Sequence, residues 1–404
     1  MFTFNGFLTE AKNLHLEHLE DEVLNNGVGG TRAAINFLQS LRDMLAGNAK
    51  SCVNVTVKWD GAPAIFAGIN PENDQFFVGT KGVFNKNAKI NYSHEDIDRN
   101  HPSGGLNQKL KVALTELSKL GIKEVLQGDM LFTQEDLETK TIEGKRYVVF
   151  QPNTIVYAVP MESASQILSS KMGIVFHTTY SGSTMEDMSA SFSVNLRGLA
   201  KSSSVWYSDA NYKDTSGTIN FNKDETKEIT AVLSQAGKTF QSLKSDVLQM
   251  ISQDEDTQTL VKTYNNTKVR AGEKITNTRQ HTRGLIAFVY DKLKKEVDKV
   301  KREETKKNKQ QVMDLKMKFF RSNSSQLVKI FDMQNLLVDA KELVIRKLEK
   351  AKGVMDTFVR TDKGYRVTQP EGFVAVDKVG KAVKLVDRLE FAHQNFTAAK
   401  NWTK

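Results

Sequence analysis

Val57-Lys58-Trp59-Asp60-Gly61 closes an alternating run with a lysine, followed two residues on by an acid and then by a glycine that permits a tight turn. A lysine amine is a poor nucleophile while protonated. A partly dry pocket or cationic neighbours lower its pKa and free it to attack carbonyl or phosphorus. By itself the pentapeptide is also what an exposed turn looks like. Groups of complementary type recur, however, at strand ends and turns: Lys81-Gly82 in GTKGVFNK, Gly128-Asp129 in VLQGDMLF, Glu371-Gly372 in QPEGFVAV, and Lys381 with Lys384 in GKAVKLVDR. Carboxylates of this kind hold a divalent cation through hard oxygens. Lysines neutralise a triphosphate and its pyrophosphate leaving group.

The elements that must carry these residues follow from periodicity. Leu8, Leu14, Leu16, Leu19 and Leu24 stand at near-helical spacing; NNGVGG reads as a loop, and a second helix is expected from Thr31 to about Leu45. VNVTVKW, AIFAGI, QFFVGTKGVF, YVVFQPNTIVYAVP, MGIVFHTTY and ASFSVNL read as strands bounded by Gly, Asn, Asp and Ser, interrupted by a helix over 109–121 that Gly121 ends. Between about 223 and 355 the period is helical and the residues are polar, and after Gly353 strand character returns. The expected division is an N-terminal helical element (1–50), a first core part (51–222), a helical insertion (223–355) and a second core part (356–404).

Composition bounds the reading. The chain has 404 residues, more than one core usually holds. Its net charge of +9 suits a phosphate-bearing partner. The longest apolar stretch, near Gly284–Tyr290, falls far short of the ~20 residues of a membrane span, so no membrane partner is expected. Glu10 precedes the first lysine and no apolar run follows it, so no secretory signal is expected. The single cysteine, Cys52, can form neither an intramolecular disulfide nor a zinc cluster, which fits a reducing cytoplasm.

Taken in order, the motifs resemble those of the covalent nucleotidyltransferase superfamily, the ATP-dependent DNA and RNA ligases and mRNA capping enzymes. Lys58-Trp59-Asp60-Gly61 is similar to that family's motif I, Gly128-Asp129 to motif III, Glu371-Gly372-Phe373-Val374 to motif IV and AVKLVDR to motif V. Stretches such as FLTEAKN, KWDGAPAIFAGINPE and FHTTYSG are also similar to uncharacterised ligase-like proteins of large tailed bacteriophages. The resemblance implies an α+β protein in which two antiparallel sheets form a ligase-type nucleotidyltransferase cleft, with N-terminal helices and a long helical insertion. It implies ATP and Mg2+, with Lys58 adenylylated; Asp60, Gly61, Lys81, Asp129, Glu371, Lys381 and Lys384 on the nucleotide; Glu371 and Asp129 at the metal; and Phe150 or Tyr157 stacked on the base. The implied partner is a nucleic acid with a 5′-phosphate end, RNA or DNA, with a protein partner for the insertion as a further expectation, and the setting is a host cytoplasm. Departures are visible. Pro63 stands where ligases commonly have Arg, Thr56 where an acid is frequent, the motif V lysines are three apart, and only about 16 residues follow Arg388, too few for an OB fold. These keep two alternatives open: a ligase-fold binding or virion protein without full ligation, and a protein adenylyltransferase.

Other residues have plainer readings beside chemical ones. His15 and His18, with Glu17 and Asp21, are at metal-ligand spacing, or simply line a helix surface. Gly27-Val28-Gly29-Gly30 before Thr31 lacks the P-loop pattern and reads as one helix cap joined to the next. Residues 291–309 hold nine Lys or Arg against five Asp or Glu, which suits either i,i+4 pairing on a solvated face or a nucleic-acid backbone. His177 reads as a strand-edge histidine or a cleft residue, and Cys52 as structural.

Overall fold

The computed structural model describes residues 18–47, 54–192, 194–211, 220–350, 355–361, 364–367, 372–376 and 382–389. Helices open the chain: α1 (Glu22–Asn25) and α2 (Gly27–Leu45). A strand-rich stretch follows with β1 (Asn54–Lys58), β2 (Ala64–Ile69), β3 (Phe76–Gly79), α3 (His94–Asn100), α4 (Gly105–Leu117), β4 (Val125–Thr133), β5 (Glu138–Ile142), β6 (Lys145–Phe150), β7 (Val156–Pro160), α5 (Ser165–Ser169), β8 (Met172–Ser181), β9 (Ser189–Ser191) and β10 (Val205–Asp209). Six helices come next: α6 (Lys223–Gln241), α7 (Ser245–Gln253), α8 (Glu255–Arg270), α9 (Thr278–Asp298), α10 (Glu303–Ser322) and α11 (Ser324–Leu348). Four strands finish the described chain: β11 (Asp356–Thr361), β12 (Gly364–Val367), β13 (Gly372–Val376) and β14 (Ala382–Leu385).

The protein is α+β. The described strands divide among three sheets rather than the two expected, and among these strands one pairing, β8 with β10, is parallel. The order β10-β8-β4-β2-β3, with β9 added on β8, makes the largest sheet. One face of it (Ile65, Ala67, Leu126, Met130, Ile174, Phe176) is buried under Leu110, Ala113, Leu114 and Leu117 of α4. Alternation along a strand explains why the other face carries a different set, among them Phe66 and Tyr180. The second sheet, β12-β11-β7-β6-β5, contains the β5–β6 hairpin, whose turn residues Glu143 and Gly144 both have positive φ (49° and 80°) as a two-residue hairpin turn demands.

The third sheet, β1-β13-β14, joins strands from opposite ends of the chain. Its apolar face (Val55, Phe373, Ala375, Leu385) shares one buried cluster with Leu38 and Leu41 of α2, Leu233 of α6, Leu285 of α9 and Leu337 and Val344 of α11. Helix α6 begins with a capping box: Asn222 accepts from the Glu225 N–H while Glu225 accepts from the Asn222 N–H. Glu225 also pairs with Lys347 at 2.7 Å, which ties the start of α6 to the end of α11.

NNGVGG is not a loop. Helix α2 starts at Gly27, four residues before the expected Thr31. A Cβ on Gly30 would lie 2.2 Å from the Glu22 carbonyl oxygen, so this glycine lets α1 approach the first turn of α2. The helix over 109–121 is found as α4 followed by a 3-10 turn, and Gly121 ends it in the left-handed region (φ 67°).

Candidate active site

β1 delivers Lys58. In the antiparallel register of β1 with β13, Lys58 lies opposite Gly372, Val57 opposite Phe373 and Thr56 opposite Val374; β14 then places Lys384 opposite Val374. Side chains alternate between faces, so Lys58, Thr56 and Lys384 share the face turned away from the helical cluster. Gly372, the first described residue of β13, has a φ of 145° and a Cβ there would come within 2.5 Å of the Leu385 carbonyl oxygen. Glycine is therefore what the sheet needs beside Lys58. Glu371 and Lys381 lie outside the described residues, as do Cys52, His15 and Glu17.

The turn after Lys58 is held by Asp60. Its carboxylate accepts from Asn153 Nδ2 (2.7 Å), the Thr154 N–H (2.7 Å) and the Ile155 N–H (2.8 Å), and its own N–H donates to Tyr157 Oη (2.7 Å). Asp60 is buried, and burial pushes its carboxyl up from the ordinary value against the pull of these N–H donors and of the Lys58 charge. Its oxygens thus clamp the loop over 153–155. Phe150 and Tyr157 are also buried, stacked on each other with centroids 5.7 Å apart. Neither offers a ring face to a base, which corrects the expectation from the resemblance; Tyr157 instead supports the turn, through Asp60 and through contact with Trp59 (5.2 Å).

The same turn rests on β4. The Ala62 N–H donates to the Met130 carbonyl, the Met130 N–H donates to that of Pro63, and a Cβ on Gly61 would lie 2.5 Å from Asp129 Cβ. Gly61 and Asp129 are therefore packed together, with Asp129 partly exposed. His177 joins them: its Nε2 is 3.7 Å from Asp129 Oδ2, while Nδ1 is 2.7 Å from Thr178 Oγ1. The Asp129–His177 pair was beyond the reach of motif matching, because it depends on the bulged register of β4 against β8. Lys81 is exposed on a 3-10 turn after β3, two strands away from Asp129 in the same sheet.

Among the described residues no group of three or more His, Cys, Asp or Glu is arranged to hold a metal ion. His18 is mostly buried rather than on a solvated helix surface. Burial lowers its pKa to about 3, opposed by Glu20 and aided by the charges of Lys341, Arg388 and Lys384. A groove of about 680 Å3 opens beside Pro63, but Lys58 and Asp129 are not among its walls. Its lysines are neutralised by carboxylates, Lys109 by Asp136 (3.2 Å), Lys111 by Asp98 (2.6 Å) and Lys171 by Glu116 (3.6 Å), which leaves no surplus charge for phosphates.

Nearly the whole chain, residues 13–400, matches the family model described as "Family of unknown function (DUF6267)", and the chain belongs to that family. No curated protein and no solved structure matches it. No helix of the described residues is long and apolar enough to cross a membrane.

Proposed function

We propose that the protein is an ATP-dependent nucleotidyltransferase that forms a lysyl-AMP intermediate on Lys58 and passes the adenylyl group to a polynucleotide end. The observation that carries this reading is the register of Lys58 opposite Gly372, with Lys384 on the same sheet face and Gly61 packed on Asp129. Segments far apart in sequence, each singled out for phosphate chemistry, lie beside the strand and turn that carry Lys58.

In this reaction the Lys58 Nζ lone pair attacks the α-phosphorus of ATP. A P–N bond forms, the bond from the α-phosphorus to the bridging oxygen breaks, and pyrophosphate leaves with that electron pair while the amine loses its proton to solvent. Lys384 offsets charge on the phosphates. Asp129 would offer a carboxylate to Mg2+, which would supply further charge neutralisation at the phosphates. Asp60 and Gly61 hold the turn after Lys58, which rests on β4. A 5′-phosphate oxygen of RNA or DNA then attacks the lysyl-bound phosphorus, restoring the amine and giving a 5′-adenylylated end.

Incubation with α-labelled ATP and Mg2+, followed by denaturing electrophoresis, tests this. A labelled band is expected that Lys58→Ala abolishes; a wild-type chain that takes up no label overturns the reading. The ligase-fold binding protein predicts the unlabelled outcome. Adenylylation of a protein predicts label moving to lysate proteins rather than to 5′-phosphorylated RNA or DNA.

A further inference from the structure

We infer that the hairpin of α9 and α10 is a binding surface for the phosphodiester backbone of single-stranded nucleic acid. This deepens the proposed function by supplying a surface for its acceptor, and rests on that reading only for the acceptor's role. Helix α9 ends at Asp298 and α10 begins at Glu303. Lys294, Lys295, Lys299, Lys301, Arg302, Lys306, Lys307 and Lys309 therefore fall within ~10 Å along the helix axes of the bend. The run 291–309 carries nine cations against five acids, so it holds almost half of the net +9 of the chain in a short stretch.

Sequence spacing alone admits a self-neutralised helix. The structure does not favour that. Lys294 pairs with Asp298 (3.0 Å) and Arg302 with Glu304 (3.3 Å), while Lys295, Lys299, Lys301, Lys307 and Lys309 are exposed and have no ion-pair partner among the described residues. The fold does not need these lysines either. The two helices are anchored by Val289, Val297, Met313, Met317 and Phe320, all buried in the helical cluster. Unpaired lysines hold counterions that a polyphosphate strand displaces, with gain of entropy. Flexible point charges, with Arg302 alone among them as a planar fork, suit backbone contact rather than base reading. Tyr290, 41% exposed and one turn before Lys294, presents a ring on which a base can stack. That ring favours a nucleic-acid strand over an acidic protein surface.

Fluorescence anisotropy of the full chain with a labelled 20-nucleotide single-stranded RNA, and with the same sequence as DNA, tests the inference from 50 to 300 mM KCl. Five neutralised phosphates predict a log–log salt slope of about −3.5. The Lys299→Gln/Lys301→Gln/Lys307→Gln variant is expected to make that slope shallower by about 2 and to weaken binding about 100-fold at 50 mM salt, with an unchanged thermal melt. Tyr290→Ala is expected to weaken binding about tenfold at the same slope. Wild-type-like binding and slope in the triple variant overturns the inference, and so does equal affinity for polyglutamate that ignores Tyr290→Ala. Lys58→Ala separates the two proposals: it abolishes ATP labelling but leaves strand binding intact. Absent labelling with an intact salt slope sinks the transfer reaction alone.

Discussion

At the scale of single residues, Asp60 and Gly61 separate positioning from chemistry. Asp60 is legible in the sequence as part of Lys-x-Asp-Gly, but its work is not: the partners that fix it, Asn153 to Ile155, lie 93 to 95 positions further on. Asp60→Ala leaves two backbone N–H groups and one amide without acceptors, and is expected to cost about 3 kcal/mol in urea unfolding. Gly61→Ala is a different case. Its methyl group must displace Asp129 while leaving the clamp intact, so labelling by ATP is expected to fall at least tenfold with a smaller loss of stability. Equal labelling of Gly61→Ala and wild type would separate Asp129 from the reaction. The stacking aromatics were misread for a related reason. Phe150 and Tyr157 stand in strong strand patterns, and pattern alone does not say which face of a strand is covered.

At the scale of elements, helices were read well wherever apolar spacing and caps agreed, as for α4 with Gly121 and for the helical stretch after 223. The GVGG stretch misleads because glycine in a first helical turn usually signals a break, whereas here it answers close contact with α1. Strand pairing was much less legible: β1-β13-β14 is specified by contacts 318 residues apart, such as Thr56 Oγ1 donating to the Val374 carbonyl. What binds the N-terminal segment to α11 is a buried pair, Glu20 with Lys341 at 2.7 Å, beside Arg388 on Asp21 at 3.0 Å. Burial alone would raise the Glu20 carboxyl, but Lys341 and His18 outweigh it and hold it below its usual range. Lys341→Met leaves that carboxylate buried and unpaired, and is expected to cost about 3–5 kcal/mol by chemical denaturation. Adding Glu20→Leu is expected to recover most of the loss, because the pair's net contribution is small once both charges are gone. A double variant no better than the single one contradicts this account.

For the whole molecule, buried histidines set how stability depends on pH. Burial lowers His18 to about 3 and His281 to about 4, while both titrate near 6.5 when unfolded. Below pH 6.5 the unfolded chain gains protons that the folded chain refuses, so stability is full above that pH and declines as pH falls toward 4. Each histidine contributes up to about 1.4 kcal/mol per pH unit across that window. Urea midpoints measured from pH 7.5 to 5 should show this slope, reduced by about half in His281→Gln; a flat profile in the wild type refutes it. The β1-β13-β14 sheet has a consequence for synthesis. β1 leaves the ribosome 318 residues ahead of its β13 partner, a wait of about 15–60 s at ordinary elongation rates. During that interval Val55 and Val57 lack their final cover, and the early partner at hand is the Ala210 carbonyl, which accepts the Val57 N–H. The sheet that carries Lys58 is thus completed last, so a nascent or C-terminally clipped chain presents that lysine without its β13 and β14 neighbours.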